Sequence, residues 1–276
     1  MRTWSFAKGH GTMNDFVLLK DRYGMLNPSP EDVRFLCDRR AGVGGDGLIR
    51  AVKAEGIPDW DGAKDIWYMD YRNSDGSPAE TCGNGLRVFV RWLVDENLVS
   101  GTVIQVATRA GLRKAVVLRD GRISVTMGVP SWDSRVVGID LCGKKWTGRK
   151  VDVGNPHLVV HVEDPTELDA LDLCGPLVYD AEVFPEGTNV EFVTASTENK
   201  LKMRVYERGS GETMSCGTGV VAASTDARAL SKRHHDTFQV DVPGGTLKVT
   251  FDDEGEASMT GPAVIVARGE VTLPDG

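Results

Sequence analysis

One pattern occurs twice in this chain, and it constrains the fold more than any other feature of the sequence. Residues 69–96 and 203–230 each predict a strand, a glycine-containing loop, a Cys-Gly-x-Gly motif and then a run of apolar or small residues. The two motif cysteines, Cys82 and Cys216, lie about half of the chain apart. Two copies predict a pair of similar domains, because a solenoid needs at least about three repeats to bury its core.

Strand-like segments outnumber helical segments in the sequence. They lie at residues 67–73, 102–108, 113–128, 151–162, 200–208 and 246–261, and they are rich in β-branched and aromatic residues. Turn sequences at 120–121 and 253–255 favour hairpins, and therefore antiparallel pairing. We predict an α+β protein with two pseudo-symmetric domains, roughly residues 1–122 and 123–260, each a mostly antiparallel sheet wrapped around a buried central helix.

The helix that follows each motif cysteine is predicted to be buried on every side. Apolar residues cover nearly the whole circumference of the first helix, and small apolar residues do the same in the second, as far as Ala229 and Leu230. A further helix is predicted to begin at Ser29, a capping residue, and Gly42 is expected to end it. Cys37 falls on the apolar face of this helix, so we expect it to pack inside.

A thiol at the N-terminal end of a buried helix is in a chemically special place. The helix dipole and the free N–H groups lower the pKa of a thiol there and favour the reactive thiolate. The motif glycines would let an anion approach the backbone N–H groups. If two thiols flank one carbon atom, one can remove a proton while the other returns a proton to the opposite face, which inverts a stereocentre. The sequence has no metal or cofactor motif, so we expect neither a metal nor a cofactor.

The composition argues against several other classes of protein. A net charge of −8 argues against general nucleic-acid binding, because such binding depends on positive charges that neutralise phosphates. No apolar run has the length of a membrane span or the form of a signal peptide, so we expect a cytoplasmic protein. Residues 42–47 match the dinucleotide-binding pattern, but a helix precedes them and a strand follows, so we reject a nucleotide site.

The five cysteines are predicted to be free thiols, as a cytoplasmic location favours. Cys37, Cys142 and Cys174 are interpreted as small buried residues. A disulfide between Cys82 and Cys216 is the main alternative to two free thiols at these positions.

Six sequence blocks together resemble those of the diaminopimelate epimerases, a pyridoxal-independent family that interconverts LL- and meso-diaminopimelate. The blocks are FAKGHGTMNDFVLL (6–19), CDRRAGVGGDGLI (37–49), YRNSDGSPAETCGNGLR (71–87), VGNPH (153–157), GTNVEF (187–192) and ERGSGETMSCGTG (207–219). The resemblance implies a cofactor-free isomerase of lysine and peptidoglycan-precursor biosynthesis, with diaminopimelate as its substrate and a homodimer as its assembly. It also implies that the last strand, within 261–276, returns to the first domain.

The resemblance assigns roles to individual residues. Cys82 and Cys216 correspond to the acid/base thiols, and His157 and Glu207 correspond to the residues that assist them. The positions that correspond to substrate-binding residues are Asn14, Asn73, Gly83, Asn84, Asn155, Asn189, Glu207, Arg208, Gly217 and Thr218. Asparagine donates and accepts hydrogen bonds and arginine can bind a carboxylate through two bonds, so this set suits a substrate with two zwitterionic ends.

Two positions depart from the family pattern. Gly47 stands where many members have a glutamine that contacts the substrate. This side-chain contact is missing here, so we expect water or a neighbouring residue to replace it. The stretch GPAVIVARGEV (261–271) lacks the aromatic residue that often supports the dimer interface.

Other interpretations stay open at the level of sequence. A proline or hydroxyproline racemase of the same fold, a Cys/His hydrolase that uses one cysteine as nucleophile, and a non-catalytic amino-acid-binding protein would all use parts of this pattern. His157 and the asparagines could be structural turn residues, and Glu207 with Arg208 could be an exposed ion pair.

Overall fold

The computed structural model describes residues 2–79, 82–233 and 235–274. The described strands are β1 (Arg2–Gly11), β2 (Asn14–Lys20), β3 (Gly47–Lys53), β4 (Trp67–Asn73), β5 (Val103–Thr108), β6 (Gly111–Val117), β7 (Ile123–Gly128), β8 (Ser131–Leu141), β9 (Lys144–Asp152), β10 (Pro156–His161), β11 (Leu177–Tyr179), β12 (Asn189–Thr197), β13 (Lys200–Glu207), β14 (Gly211–Thr213), β15 (Thr237–Val242), β16 (Gly245–Phe251), β17 (Ala257–Gly261) and β18 (Val264–Leu273). The described α-helices are α1 (Pro30–Cys37), α2 (Gly83–Asp95), α3 (Pro165–Ala170) and α4 (Gly217–Leu230), and Ala54–Gly56 form a turn of 3-10 helix.

The chain divides into two compact units. Unit 1 consists of Met1–Val125 with Gly261–Gly276, and unit 2 consists of Thr126–Thr260. Among the described residues, no helix has the length and apolar character needed to cross a membrane.

The strands of unit 1 are hydrogen-bonded in the order β18-β1-β2-β3-β4-β5-β6-β7. The pairings of β2 with β3 and of β4 with β5 are parallel, whereas the other described pairings in this row are antiparallel. Parallel neighbours need a crossover connection. In unit 1 the first crossover contains α1 and the second contains α2.

Unit 2 repeats this arrangement with the order β8-β9-β10-β12-β13-β15-β16-β17. Here β10 pairs with β12 and β13 pairs with β15 in parallel, and the two crossovers contain α3 and α4. The short strands β11 and β14 are added beside β8 and β13. The same succession of parallel and antiparallel neighbours in both units confirms the predicted α+β fold with two pseudo-symmetric halves.

The central helices are α2 and α4. The first packs against β1, β2 and β18 of unit 1, and the second packs against β9, β10 and β12 of unit 2. Buried side chains are bulky in α2, where they include Phe89 and Trp92, and mostly small in α4. The buried residues of α4 lie within 217–226, so the prediction that Ala229 and Leu230 are buried is wrong.

Helix α1 begins as the sequence predicts and ends earlier. Ser29 is the N-cap, and its side chain and that of Asp32 form a reciprocal capping box. The helix ends at Cys37, because Asp38 is already in an extended conformation. Gly42 lies in the following turn, where a Cβ atom would come within 1.8 Å of the Phe35 carbonyl oxygen.

Candidate functional site

Cys82 is the N-cap residue of α2. Its Sγ accepts a hydrogen bond from Gly85 N (3.3 Å), and its thiol donates to Asn14 Oδ1 (3.6 Å). Asn84 Nδ2 donates to the same oxygen of Asn14 (3.3 Å), and Asn14 Nδ2 donates to Asp46 Oδ2 (2.7 Å). The structure therefore groups Cys82 with two predicted substrate residues, Asn14 and Asn84, at the first turn of α2, where Gly83 is the first residue.

Cys216 is the N-cap residue of α4 and has the same local geometry. Its Sγ accepts a hydrogen bond from Gly219 N (3.4 Å) and lies 3.5 Å from Thr218 Oγ1. Thr218 Oγ1 also accepts a hydrogen bond from Asn155 Nδ2 (3.5 Å). Cys216 is thus grouped with two predicted substrate residues, Thr218 and Asn155, and Gly217 begins the helix.

His157 is buried beside this second cysteine group. Its Nδ1 lies 2.7 Å from Glu191 Oε1, and its Nε2 lies 3.0 Å from Asn155 Oδ1. Neither His157 nor Glu191 has any exposed surface. His157 is a predicted site residue, whereas Glu191 is not, although a carboxylate among the apolar residues of 190–193 in β12 is a signal that could have identified it.

The remaining predicted residues of unit 2 lie at the neighbouring strand ends. Asn189 Oδ1 accepts a hydrogen bond from Arg208 N (3.0 Å). The guanidinium group of Arg208 donates a hydrogen bond to Glu186 O (2.8 Å), and the Arg208 side chain is 43% exposed. The Glu207 carboxylate accepts a hydrogen bond from Thr213 Oγ1. Arg208 is therefore anchored by its backbone, and part of its charged group faces solvent.

Asn73 and Gly47 lie opposite each other on β4 and β3 of unit 1. Asn73 accepts a hydrogen bond from Tyr71 Oη (3.1 Å) and donates to Ser77 Oγ (3.1 Å). A Cβ atom on Gly47 would lie 2.7 Å from the Tyr71 ring and 2.6 Å from Arg72 O. The Tyr71 ring and the Arg72 carbonyl oxygen therefore occupy the space beside Gly47.

The environment of Cys216 raises its pKa well above the ordinary value. Burial has the largest effect, and the carboxylates of Glu207 and Glu191 add to it, while hydrogen bonds from Thr218 and Gly219 oppose it only in part. The hydrogen bond from Gly219 N at the helix start lowers the pKa of Cys216, as predicted, but burial and the two carboxylates outweigh it, so the net shift is upward. A protonated thiol at this position is suited to donate a proton.

A buried cation lies near Cys82. Arg87 lies in the same helix and is fully buried, so that desolvation lowers the pKa of its guanidinium to about 10, while the charge of Cys82 acts in the opposite direction. Neither Cys82 nor Cys216 forms a disulfide.

The other three cysteines divide between core and surface. Cys37 is buried, as predicted. Cys142 and Cys174 are exposed, so the prediction that they pack inside is wrong. Both lie in connections, Cys142 in the turn from β8 to β9 and Cys174 between α3 and β11, where loop residues remain near solvent.

The chain matches known proteins over nearly its whole length. A family model described as diaminopimelate epimerase matches residues 6–132 and 149–266. The chain belongs to the diaminopimelate epimerase family. The diaminopimelate epimerase of Corynebacterium glutamicum (strain R) is 44% identical to it over 98% of this chain and 99% of that protein. The diaminopimelate epimerase of Streptomyces coelicolor is 46% identical over 96% of this chain and 94% of that protein.

Solved structures resemble this diaminopimelate epimerase family member at much lower identity. A phenazine biosynthesis protein of the PhzF family from Bacillus anthracis has a TM-score of 0.68 at 17% identity, covering 99% of this chain and 100% of that chain. A hydroxyproline epimerase from Agrobacterium vitis, solved with bound trans-4-hydroxy-L-proline, has a TM-score of 0.65 at 16% identity, covering 99% of this chain and 94% of that chain. These likenesses show the fold, which hosts more than one activity.

Proposed function

We propose that this chain is an epimerase that interconverts LL- and meso-diaminopimelate by two-base proton transfer at one α-carbon. The observation that carries the proposal is that each unit places a free thiol at the N-cap of its central helix, in a chain of the diaminopimelate epimerase family. We infer that the protein acts without a cofactor in lysine and peptidoglycan-precursor biosynthesis, in the cytoplasm and as a homodimer.

The chemistry needs one thiolate and one thiol. The thiolate removes the α-proton, so that the electron pair of the C–H bond stays on carbon, and the thiol then gives its proton to the opposite face. The product has the inverted configuration, and the two cysteines have exchanged their protonation states. The mechanism requires Cys82 and Cys216 to reach the same α-carbon. The raised pKa of Cys216 suits it to be the proton donor in the direction that begins with a Cys82 thiolate.

The other site residues have two proposed tasks. The first turns of α2 and α4, with Gly83, Asn84, Gly217 and Thr218, would bind the substrate through backbone N–H groups and short polar side chains. The asparagines Asn14, Asn73, Asn155 and Asn189 would position the substrate, and Arg208 would bind the carboxylate at its distal end. His157 and Glu207 would assist proton transfer.

An isotope experiment tests both thiols together. The wild-type protein is incubated with LL-diaminopimelate in D₂O, and the product is analysed by mass spectrometry and NMR. We expect epimerisation with deuterium at a single α-carbon. Cys82→Ala and Cys216→Ala should each lower the rate of epimerisation by at least about 10²-fold, because each removes one acid/base group. Cys142→Ala, which removes an exposed thiol, should keep the wild-type rate.

The outcomes separate the alternatives. Full turnover by either alanine variant would rule out the two-base mechanism. Turnover of proline or hydroxyproline in place of diaminopimelate would indicate a racemase of different specificity. A hydrolase would form an acyl-enzyme and need only one of the two cysteines. Binding of diaminopimelate without any isotope exchange would indicate an amino-acid-binding protein.

A further inference from the structure

The two units carry different residues at equivalent positions beside their capping cysteines. In unit 1, Phe16 opens the parallel register of β2 with β3, and Ile49 is the third residue of β3 in that register. In unit 2, His157 opens the parallel register of β10 with β12, and Glu191 is the third residue of β12 in that register. By register, Phe16 corresponds to His157, and Ile49 corresponds to Glu191.

The central helices contact these pairs through the second glycine of each motif. A Cβ atom on Gly85 would lie 3.2 Å from Ile49 Cδ1 and 3.4 Å from Phe16 Cζ. A Cβ atom on Gly219 would lie 2.6 Å from Glu191 Oε1. These contacts support the correspondence of the two pairs. They also give both glycines a packing role, because protein atoms occupy the space beside them.

Packing alone does not explain a carboxylate at position 191. Phe16 and Ile49 are fully buried, so an apolar pair suits this part of the fold. His157 and Glu191 are buried to the same degree, although a buried carboxylate loses its hydration. Glu191 Oε1 regains one hydrogen bond, from His157, whereas Glu191 Oε2 has no hydrogen-bond partner among the described residues.

A continuous series of contacts connects Glu191 with Cys216. From Glu191 Oε1 it passes to His157 Nδ1 (2.7 Å) and from His157 Nε2 to Asn155 Oδ1 (3.0 Å). It continues from Asn155 Nδ2 to Thr218 Oγ1 (3.5 Å) and from Thr218 Oγ1 to Cys216 Sγ (3.5 Å). Glu191 Oε1 and Asn155 Oδ1 are both hydrogen-bond acceptors, so in this arrangement both ring nitrogens of His157 carry a hydrogen, and the two bonds fix the orientation of the ring.

We propose that Glu191 is a positioning residue of the epimerase: by accepting the Nδ1–H of His157, it fixes the ring and, through the ring, Asn155 and Thr218 beside the thiol of Cys216. The inference rests on the proposed function, because it gives Glu191 a task in that reaction. Hydrogen-bonding partners that orient metal-binding histidines change affinity or activity about 10- to 100-fold when they are replaced, and we expect an effect of similar size here.

Two substitutions test the proposal. Glu191→Gln keeps the size of the side chain and removes its charge, and Glu191→Ile introduces the residue that unit 1 carries. Both should fold, because the site accepts an apolar residue in unit 1. We expect kcat for diaminopimelate to fall about 10- to 100-fold in both variants. The matched control is Val193→Ala, which shortens a buried side chain two residues further along β12 and should leave kcat unchanged.

The ring nitrogens of His157 supply a measurement that does not depend on turnover. In a ¹H–¹⁵N spectrum, the hydrogen-bonded Nδ1–H of wild-type His157 should give a downfield proton resonance, assigned with His157→Gln. This resonance should shift in Glu191→Gln, disappear in Glu191→Ile and stay in place in Val193→Ala. A merely structural role for Glu191 would change the unfolding temperature without lowering kcat in a folded variant.

Each result decides something. Wild-type kcat in Glu191→Gln and Glu191→Ile would overturn the proposal, and so would a loss of kcat with an unchanged His157 resonance. If the wild-type protein does not turn over diaminopimelate, the proposed function fails. The His157 resonance of Glu191→Ile then still shows whether Glu191 orients the ring.

Discussion

Replacing the second glycine of each motif by alanine compares the two units directly. Gly85 and Gly219 occupy the same position in α2 and α4, the third residue of each helix. In a helix interior, alanine is more stabilising than glycine by about 1 kcal/mol when nothing obstructs its Cβ atom. The difference between Gly85→Ala and Gly219→Ala therefore measures what lies beside each glycine.

The expected magnitudes follow from the distances to the nearest atoms. The Cβ atom of Gly219→Ala would meet Glu191 Oε1 at 2.6 Å, whereas ordinary contacts begin at 3.4 Å, so the carboxylate must retreat by about 0.8 Å. That shift is enough to break its 2.7 Å hydrogen bond with His157. Overpacking costs about 1–3 kcal/mol and the lost hydrogen bond about 1.5–3 kcal/mol, which leaves a net destabilisation of about 1.5–5 kcal/mol after the gain of about 1 kcal/mol in helix propensity.

The assay is urea unfolding of both variants and the wild type, together with kcat for diaminopimelate. The Cβ atom of Gly85→Ala meets only side-chain carbons at 3.2–3.4 Å, so its free energy of unfolding should stay within about 1 kcal/mol of wild type. Gly219→Ala should also lose activity, because it displaces Glu191. Equal stability and equal activity of the two variants would refute this account of the motif glycines.

Two further predictions concern groups away from the thiol sites. Burial raises the pKa of Asp70, but the guanidinium groups of Arg109, Arg50 and Arg72 lower it further, so its folded pKa lies below the ordinary value. The ionised Asp70 carboxylate therefore stabilises the folded protein. Its contribution is complete above the pKa of about 4 in the unfolded chain, and it is lost as the pH falls through the lower pKa in the folded protein. Urea unfolding between pH 6 and pH 2.5 should therefore show a loss of stability in the wild type that Asp70→Asn lacks, and parallel pH curves would contradict the assignment. Burial raises the pKa of Cys37 to about 12, so an aromatic disulfide reagent should modify the exposed Cys142 and Cys174 first and Cys37 only after unfolding. Fast modification of Cys37 in a Cys142→Ser/Cys174→Ser variant would contradict this order.

Local sequence patterns predicted the strand, the helix cap and the turns whose conformation is determined by a few consecutive residues. The strand at 67–73 has the predicted bounds, and α1 begins at the predicted cap. The turns at Gly121 and Gly255 have positive φ angles of 84° and 83°, as hairpin turns with glycine require. Each of these features is determined within a few residues of the chain.

Local patterns missed features that depend on distant partners, and the return of the last strand to the first domain was expected only from the family resemblance. In β2 the buried run FVLL has no alternation, so its pattern fits a strand or a buried helix equally well. The register of β1 with β18 shifts between Lys8 and Gly9, where β18 has the additional residue Val266, so neither strand alone shows how the two pair. The residues of β18 are mostly exposed, so they give no clear burial pattern, and the strand is defined by its hydrogen bonds with β1.

The candidate site shows the same division. Cys82 and Cys216 are identifiable because their motif carries a local reason, a cap followed by glycines at a helix start. Glu191 can be noticed as a carboxylate in an apolar strand, but its role is identifiable only from its partner, His157, because the two residues lie on different strands and meet through parallel pairing. A single sequence shows that a carboxylate stands in an apolar strand, but it does not show which side chain receives it.

The pairing of β1 with β18 has a consequence for synthesis on the ribosome. Arg2 pairs with Leu273, and the buried ring of Trp4 shares a hydrophobic cluster with that leucine. Unit 2, formed by the uninterrupted stretch Thr126–Thr260, has all of its strands available before β18 is translated. The edge of β1 that pairs with β18 therefore stays open during synthesis until residues 264–273 have been translated.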